Sequence, residues 1–183
     1  MTSAPSLGRF ILAYDEFLQR SDLADLAPLI RGAFQTAGYT WLLDQNEAAA
    51  VQVYEGMTQA AAAVGEGVVN LAPSQHPDWV RLGLLAALIT WCSGKSGTCT
   101  HVPNPMRPQP VAAAAWKPNL VVCDACRHLL SIPRGSAKDR TCDGCGVITE
   151  GIDHGDPIWP VSVAHGGFVY LVGVCASCRY WEE

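Results

Sequence analysis

The sequence predicts an α+β protein in which an N-terminal helical bundle, residues 1–93, is followed by a small β-rich module, residues 94–183. Three observations lead to this prediction. The first 91 residues are rich in Ala and Leu and carry apolar residues at helical spacing. All eight cysteines lie from Cys92 onwards, and the proline-rich stretch His101–Pro110 follows this change in composition. The first 91 residues also have a net charge of −5, whereas the remaining residues are neutral.

Composition places the chain among globular proteins. Of its 183 residues, 49% are hydrophobic and 16% are charged, which excludes a disordered protein. The net charge of −5 argues against binding a polyanion through bulk charge. The longest apolar run, Leu82–Ile89, is too short to cross a membrane, and no secretory signal is recognised at Met1. We therefore expect a cytoplasmic protein without a membrane partner.

Four helices are predicted in the first part, because apolar residues recur there every three or four positions. They cover residues 10–20, 23–34, 46–64 and 77–91. Gly38 is the expected stop after the second helix, and Pro77 suits the first position of the fourth. Since the fourth helix is apolar on nearly every side, we place it in the middle of a bundle with an acidic, solvated surface.

The cysteines of the second part occur mainly in pairs separated by two residues: Cys123/Cys126, Cys142/Cys145 and Cys175/Cys178. Cys99-Thr100-His101 provides a fourth half-site. Two intervening residues allow both sulfurs to face one ion around a tight knuckle. Three such pairs with a Cys-x-His pair indicate two structural zinc ions rather than disulfides, which would need an oxidising compartment. An iron–sulfur cluster is the alternative metal group.

Two segments of the second part resemble each other. In Leu120–His128 and in Val172–Tyr180, an apolar strand runs into Cys-x-x-Cys, followed by Arg and an aromatic ring. Each resembles the second half of a treble-clef zinc finger, and the spacing is also similar to that of zinc ribbons. The resemblance covers about 80 C-terminal residues and identifies a metal-binding class rather than an individual family.

The treble-clef resemblance implies that an upstream knuckle completes each of two treble-clef-like sites. In this interpretation the hairpin Val161–Val174, turning at His165-Gly166-Gly167, connects the two halves of the second site. Ribbon-like or cross-braced pairing is the alternative, and a ribbon would join Cys123/Cys126 to Cys142/Cys145. The sulfurs of one site should lie within about 4 Å of each other. The implied ligands are Cys99, His101, Cys123 and Cys126 for the first site, and Cys142, Cys145, Cys175 and Cys178 for the second.

The other cysteine and histidines receive plainer interpretations. Cys92 ends the most apolar helix and is predicted to be a buried free thiol. His128 follows a Cys-x-x-Cys pair, and we expect it on a helix surface or supporting a ligand. The other histidines stand among turn residues and are expected to be exposed: His76, His154 and His165.

Three classes of function follow from this reading. The preferred one is a zinc-stabilised, non-enzymatic adaptor or regulatory protein that binds another protein. Its surface would be the acidic helical part or a set of aromatic residues, namely Trp116, Trp159, Tyr180 and Trp181. The alternative is a nucleic-acid-binding zinc finger that uses the basic loop 127–140, with Arg127, Arg134, Lys138 and Arg140. An enzyme with a site between the modules is disfavoured, because no nucleophile–base pair is recognisable and thiolate-rich sites leave no open metal position.

Overall fold

A computed structural model describes residues 32, 35–38, 40–63, 65, 69, 71 and 75–181. Apart from Gly32, the helices predicted over residues 10–20 and 23–34 lie outside these described residues. Gly38 has a φ of 77°, and its N–H donates to the carbonyl of Gln35. A helix-ending glycine adopts this left-handed geometry, as the sequence predicts for Gly38.

Both helices predicted further along the chain are present. Helix α1 is Thr40–Ala63, which begins six residues before the predicted start. Helix α2 is Asp78–Cys92 and follows Pro77, whose φ of −57° suits a helix start. After α2 the chain turns at Gly94, which has a φ of 69° and donates its N–H to the carbonyl of Trp91. Neither helix is long and apolar enough to span a membrane, and no other helix in the described part is.

A mixed sheet of five strands follows the helices. The strands are β1 (Gly97–Thr98), β2 (Val111–Ala114), β3 (Lys117–Cys123), β4 (Trp159–His165) and β5 (Phe168–Val174). Their spatial order is β1-β3-β2-β5-β4, with β1 parallel to β3, β2 parallel to β5 and the other pairs antiparallel. The predicted hairpin is therefore present as β4 and β5. Its two-residue turn contains Gly166 with a φ of 58°, as the tight turns favoured in hairpins require.

One helix covers each face of the sheet. Successive side chains of each strand point to opposite faces, so each face contributes to a separate core. On one face, Ala113, Tyr170 and Val172 share a core with Leu84 and Ala87 of α2. On the other face, the core contains Val53 of α1 with three strand residues, Ala112, Val122 and Val169. The α+β class is confirmed at this level, with helices followed by a mixed sheet. The division into residues 1–93 and 94–183 stays a prediction.

Helix α2 lies very close to β5 at one point. A Cβ atom at Gly83 would meet the Tyr170 hydroxyl and would lie 3.0 Å from the ring carbon Cζ. Tyr170 is 6% exposed and packs within the core, so its ring has little freedom to move away. Gly56 in α1 differs, because a Cβ there would meet no atom within 4 Å.

These two helical glycines provide a matched test of packing. We expect Gly83→Ala to lower the free energy of unfolding by about 1–3 kcal/mol, because the core must shift to accept one methyl group. Gly56→Ala should instead raise it by roughly 0.5–1 kcal/mol, since alanine favours a helix interior. Denaturant unfolding of both variants measures the difference. Equal effects of the two substitutions would contradict the close approach of α2 and β5.

Candidate metal centres

The first centre contains Cys99, His101, Cys123 and Cys126, whose ligand atoms all lie within 4.8 Å of one another. Strand β1 positions Cys99, because it pairs in parallel with β3 and Thr98 lies opposite Val121. Cys123 ends β3, and Cys126 lies in the 3-10 helix Asp124–Leu130. The Sγ atoms of Cys99 and Cys123 are 3.7 Å apart. Nδ1 of His101 lies 3.4 Å from Sγ of Cys123 and 3.3 Å from Sγ of Cys126.

The second centre contains Cys142, Cys145, Cys175 and Cys178, with the same limit of 4.8 Å between ligand atoms. Cys142 and Cys145 lie in a knuckle, which is closed by a hydrogen bond of 2.8 Å from the Cys142 N–H to the Val147 carbonyl. Cys175 directly follows β5, and Cys178 ends a short 3-10 helix. Sγ of Cys145 and Sγ of Cys175 are 3.8 Å apart. Four sulfurs from two distant segments thus form one cluster.

Asp143 attaches the second knuckle to the sheet. Its backbone N–H donates to the Gly173 carbonyl at 2.7 Å, and its Oδ2 atom accepts a 2.7 Å hydrogen bond from the Gly173 N–H. Its side chain is only 6% exposed, and Lys138 Nζ lies 3.3 Å from its Oδ1 atom. Sequence reasoning missed this role. The available signal was a carboxylate inside a knuckle, where it can accept hydrogen bonds from nearby backbone.

The spacing of the sulfurs fits a metal ion better than a disulfide. Four thiolates around one tetrahedral zinc, with bonds of about 2.3 Å, lie about 3.8 Å apart. The measured 3.7 Å and 3.8 Å match this value. A disulfide bond would bring two sulfurs to about 2.05 Å, and all eight cysteines are free thiols. Both donor sets therefore have the composition and the spacing of metal centres.

Hydrogen bonds favour the ionised form of one thiol in each centre. Burial opposes ionisation of Cys99, but hydrogen bonds from the backbone of Cys123 and His101 lower its pKa to about 6. Burial also opposes ionisation of Cys142, but hydrogen bonds from the backbone of Cys145, Cys175 and Gly144 lower its pKa to about 7.

Other thiols of the same centres are harder to ionise. Burial and neighbouring thiols raise the pKa of Cys126 to about 11 and that of Cys178 to about 12. Two or more thiolates in one buried cluster are destabilised in the absence of a cation, because like charges repel strongly where solvent is excluded. A bound metal ion removes this penalty, since it holds its thiol ligands deprotonated.

In each upstream knuckle, the residue after the second ligand has a left-handed backbone conformation. Gly146, which follows Cys145, has a φ of 75°. Val102, which follows His101, has a φ of 44° and is the one residue other than glycine in the described part with a positive φ. A β-branched side chain is strained in this region. The matching positions indicate that both knuckles turn in the same way.

The two centres lie at opposite ends of the sheet. Val111 is opposite Cys123 in β3 and opposite Phe168 in β5, so the first centre lies near the start of β5. The second centre follows the end of β5. The centres also belong to different faces, because Cys123 packs in the core with α1 and Cys142 in the core with α2. Each centre therefore fixes a different part of the molecule.

Helix α2 helps to cover the second centre. A Cβ atom at Gly144 would lie 3.1 Å from the Trp79 ring and 3.3 Å from Sγ of Cys178. The lack of a side chain at Gly144 thus lets the indole of Trp79 approach the knuckle. Trp79 also packs against the core that contains Cys142. An apolar ring beside the sulfurs limits the access of water and of oxidants to them.

The grouping of the eight predicted ligands is the one that the treble-clef resemblance implies. Cys123 and Cys126 do not join Cys142 and Cys145, so the ribbon-like pairing is not adopted. The ligand atoms of each group lie within 4.8 Å of one another, a wider spacing than the predicted sulfur–sulfur distance of about 4 Å. That the eight side chains are metal ligands stays a prediction.

Cys92 lies outside both groups, as predicted, but the prediction that it is buried was wrong. It is the last residue of α2, and it is exposed although the preceding Trp91 packs against Phe168 of β5. His128 is exposed on the 3-10 helix, and His154 is exposed as predicted, whereas His76 and His165 are half-buried and not, as predicted, exposed. Nδ1 of His76 lies 3.2 Å from the Tyr180 hydroxyl. Burial, with Arg81 nearby, lowers the pKa of His76, and burial lowers that of His165.

Two of the four basic residues of loop 127–140 lie beside carboxylates. Arg127 pairs with Asp124 at 2.7 Å, and Lys138 pairs with Asp143 at 3.3 Å. Arg134 is exposed, while Arg140 is half-buried. Nearby carboxylates therefore balance part of the local positive charge that the sequence suggested.

The four aromatic residues expected at the surface are half-buried and cover the cores: Trp116, Trp159, Tyr180 and Trp181. The Trp116 indole N–H donates to the Leu130 carbonyl at 2.6 Å. The guanidinium of Arg179 lies 4.4 Å from the centre of the Trp159 ring, a cation–π distance. These rings thus contribute to the packing of the fold, with only part of each surface left to solvent.

Comparison with protein-family models, with curated proteins and with solved structures found no match. The assignment of the two centres therefore rests on their geometry and on the chemistry of their donor atoms.

The two centres should lose their metal ions separately, because they lie at opposite ends of the sheet. Cys145→Ser removes one thiolate from the second centre, so we expect the purified variant to hold one ion instead of two. Cys92→Ser is the matched control and should keep both, since Cys92 belongs to neither centre. Elemental analysis of protein never exposed to a chelator gives the ratio. Two ions retained in Cys145→Ser would refute the second centre.

The strained residue in the first knuckle offers a second test. Val102→Gly removes a β-branched side chain from a left-handed position that costs about 1–2 kcal/mol, although glycine also adds freedom to the unfolded chain. We expect the free energy of unfolding to rise by up to about 1 kcal/mol. Val147→Gly, at an exposed knuckle position without positive φ, should lower it. Thermal unfolding of both metal-loaded variants distinguishes these outcomes, and destabilisation by Val102→Gly would show that the left-handed turn is not strained.

Proposed function

We propose that this protein is a zinc-stabilised, non-enzymatic interaction protein, adaptor or regulatory, that binds another protein. The observation that carries the proposal is the pair of four-residue donor sets, one with three thiolates and an imidazole and one with four thiolates. Thiolate-rich tetrahedral sets favour zinc over magnesium, calcium or manganese. Both sets connect segments far apart in the sequence, which supports a structural role for the ions.

The donor sets also support the non-enzymatic part of the proposal. A catalytic zinc ion usually has three protein ligands and keeps its fourth position for water or substrate. Each centre here offers four donor side chains, which leaves no open position. The chemistry of the ions is then limited to holding the fold together.

The finer description of the fold belongs to the same proposal. In each centre, an upstream knuckle meets a Cys-x-x-Cys segment that begins where the second strand of a hairpin ends, at Cys123 after β3 and at Cys175 after β5. This arrangement supports two treble-clef-like sites. Helices α1 and α2 lie on opposite faces of the sheet and do not form a bundle with each other, so a helical bundle stays a prediction that involves the N-terminal helices. A reducing compartment such as the cytoplasm suits free thiolates.

Charge supports a protein rather than a nucleic acid as the partner. The chain carries a net charge of −5, and Arg127 and Lys138 in the basic loop already have acidic neighbours. Phosphate binding depends on cations that are free to replace counterions. The nucleic-acid alternative therefore loses part of the surface that suggested it.

Metal analysis tests the structural part of the proposal. We expect two zinc ions per chain in protein purified without chelator. Removal of the ions should unfold the knuckles, since their irregular, glycine-rich chain has little apolar surface to offset its entropy. Inductively coupled plasma mass spectrometry and limited proteolysis, before and after chelation, measure both effects. Iron with sulfide, or protease resistance that survives metal removal, would contradict the proposal.

Binding assays test the choice of partner. Gel shifts with mixed duplex DNA and structured RNA at low salt should show no binding. Site-specific photo-crosslinking in cells that produce the protein should instead give a protein adduct that requires the metal-loaded fold. Chelated protein is the control for non-specific capture. Salt-dependent binding of nucleic acid without any protein adduct would replace the proposal with the nucleic-acid alternative.

A further inference from the structure

At the outer edge of the sheet, β4 has backbone groups that bond to no other residue of the described ranges. Strand β4 lies at the end of the strand order and pairs only with β5. Within the described part of the chain, no hydrogen bond reaches the backbone N–H or carbonyl of Ser162 or Ala164. Both residues are exposed. An unpaired strand edge is a ready template for another extended chain.

The register shows which groups point outward. The N–H groups of Val111 and Ala115 donate to the carbonyls of Gly167 and Leu171, so the odd-numbered residues of β5 face β2. The even-numbered residues of β5 then face β4, where Phe168 and Tyr170 pair with His165 and Val163.

The residues between these pairs turn their backbone groups away from the sheet. Ser162 and Ala164 each present one N–H and one carbonyl at the open edge. Pro160, also exposed, presents a carbonyl and has no N–H. The edge thus offers two donors and three acceptors at alternate residues, the pattern that a paired strand requires.

The edge borders a groove rather than open solvent. The groove holds about 340 Å³ and is lined by Pro160–Val163, with Met57 and Ala60 of α1 and with Tyr180 and Trp181 of the C-terminal segment. Apolar and aromatic side chains therefore stand beside a row of unpaired backbone groups. Strand addition uses this combination, in which main-chain hydrogen bonds supply affinity and adjacent pockets receive alternate side chains.

The groove carries little net charge of its own. Its described lining includes Arg127, which pairs with Asp124 at 2.7 Å, and no acidic residue. The groove therefore suits an extended segment with apolar side chains.

We propose that an extended segment of a partner protein adds a sixth strand to the sheet along β4, within this groove. This inference rests on the proposed function, which makes the partner a protein, and it identifies the surface that the partner binds. A groove of about 340 Å³ suits a single extended segment, and pairing of β4 with a second copy of this protein is a separate outcome of the test.

A substitution that changes only the edge tests the proposal. Ser162→Pro removes an outward N–H and places a ring where the added strand would lie. The fold should tolerate it, since Pro160 already occupies an outward position of the same strand. Ser162→Thr is the matched control, because it enlarges the side chain and keeps the N–H. Both variants should hold two metal ions.

The probe is a phage-displayed library of random seven-residue peptides, selected on the metal-loaded full chain. We expect enriched peptides with apolar residues at alternate positions. Their affinity should fall at least tenfold for Ser162→Pro, which corresponds to about 1.4 kcal/mol, and should be unchanged for Ser162→Thr. N-methylation of every second backbone N–H of an enriched peptide should abolish binding, whereas N-methylation of the residues between them should not. This test does not depend on whether Ser162→Pro folds.

Three results would overturn the proposal. One is the absence of any enriched peptide, and another is binding that is insensitive to both Ser162→Pro and peptide N-methylation. The third is self-association in sedimentation analysis that Ser162→Pro removes, which would make a second copy the occupant. A crosslinked partner that still binds Ser162→Pro would reject this surface while leaving the proposed function intact.

Discussion

The parallel pairing of β2 with β5 is the contact on which the rest of the structure depends. It joins the hairpin of β2 and β3 to the hairpin of β4 and β5, and all four residues of β2 are buried there. The pairing creates two continuous sheet faces, one for each helix, and places the two centres at opposite ends. Because more than 50 residues separate the two strands in the sequence, closing this contact costs considerable chain entropy.

The second metal centre also joins segments that are far apart in the sequence. Cys142 and Cys175 are 33 residues apart in the sequence, yet the Cys175 N–H lies 3.4 Å from Sγ of Cys142. The segment between them has many glycines and little regular structure before β4. A bound ion would hold such a segment without a large apolar core. The hydrogen bonds of Asp143 with Gly173 then orient the knuckle against the strand.

The helices and the centres are not independent parts of the molecule. Helix α1 contacts the β4–β5 turn, where a Cβ at Gly167 would lie 2.9 Å from Cβ of Ala49. Helix α2 brings Trp79 over the second knuckle. The two helices therefore cover the two faces of the sheet and contact the β4–β5 turn and the second knuckle.

Local signals in the sequence determined the helices, the hairpin turn and the composition of each donor set. Helical periodicity and Pro77 located α1 and α2, Gly166-Gly167 located the turn, and the Cys-x-x-Cys spacing located the half-sites. The repeated strand and Cys-x-x-Cys unit even grouped the half-sites correctly. The helices, the turn and the half-sites each depend on residues close together in the chain, where spacing and backbone geometry suffice, whereas the grouping depends on the resemblance between two distant segments.

Tertiary structure alone decided which surfaces meet. The alanine-rich strand β2 has no strand signal of its own and is a strand because both its neighbours pair with it. The partial burial of His76 and His165 and the attachment of Asp143 to Gly173 follow from the same kind of long-range contact. The physical reason is that the solvent exposure of a side chain depends on which distant segments pack against it, and the local residue pattern does not specify those segments.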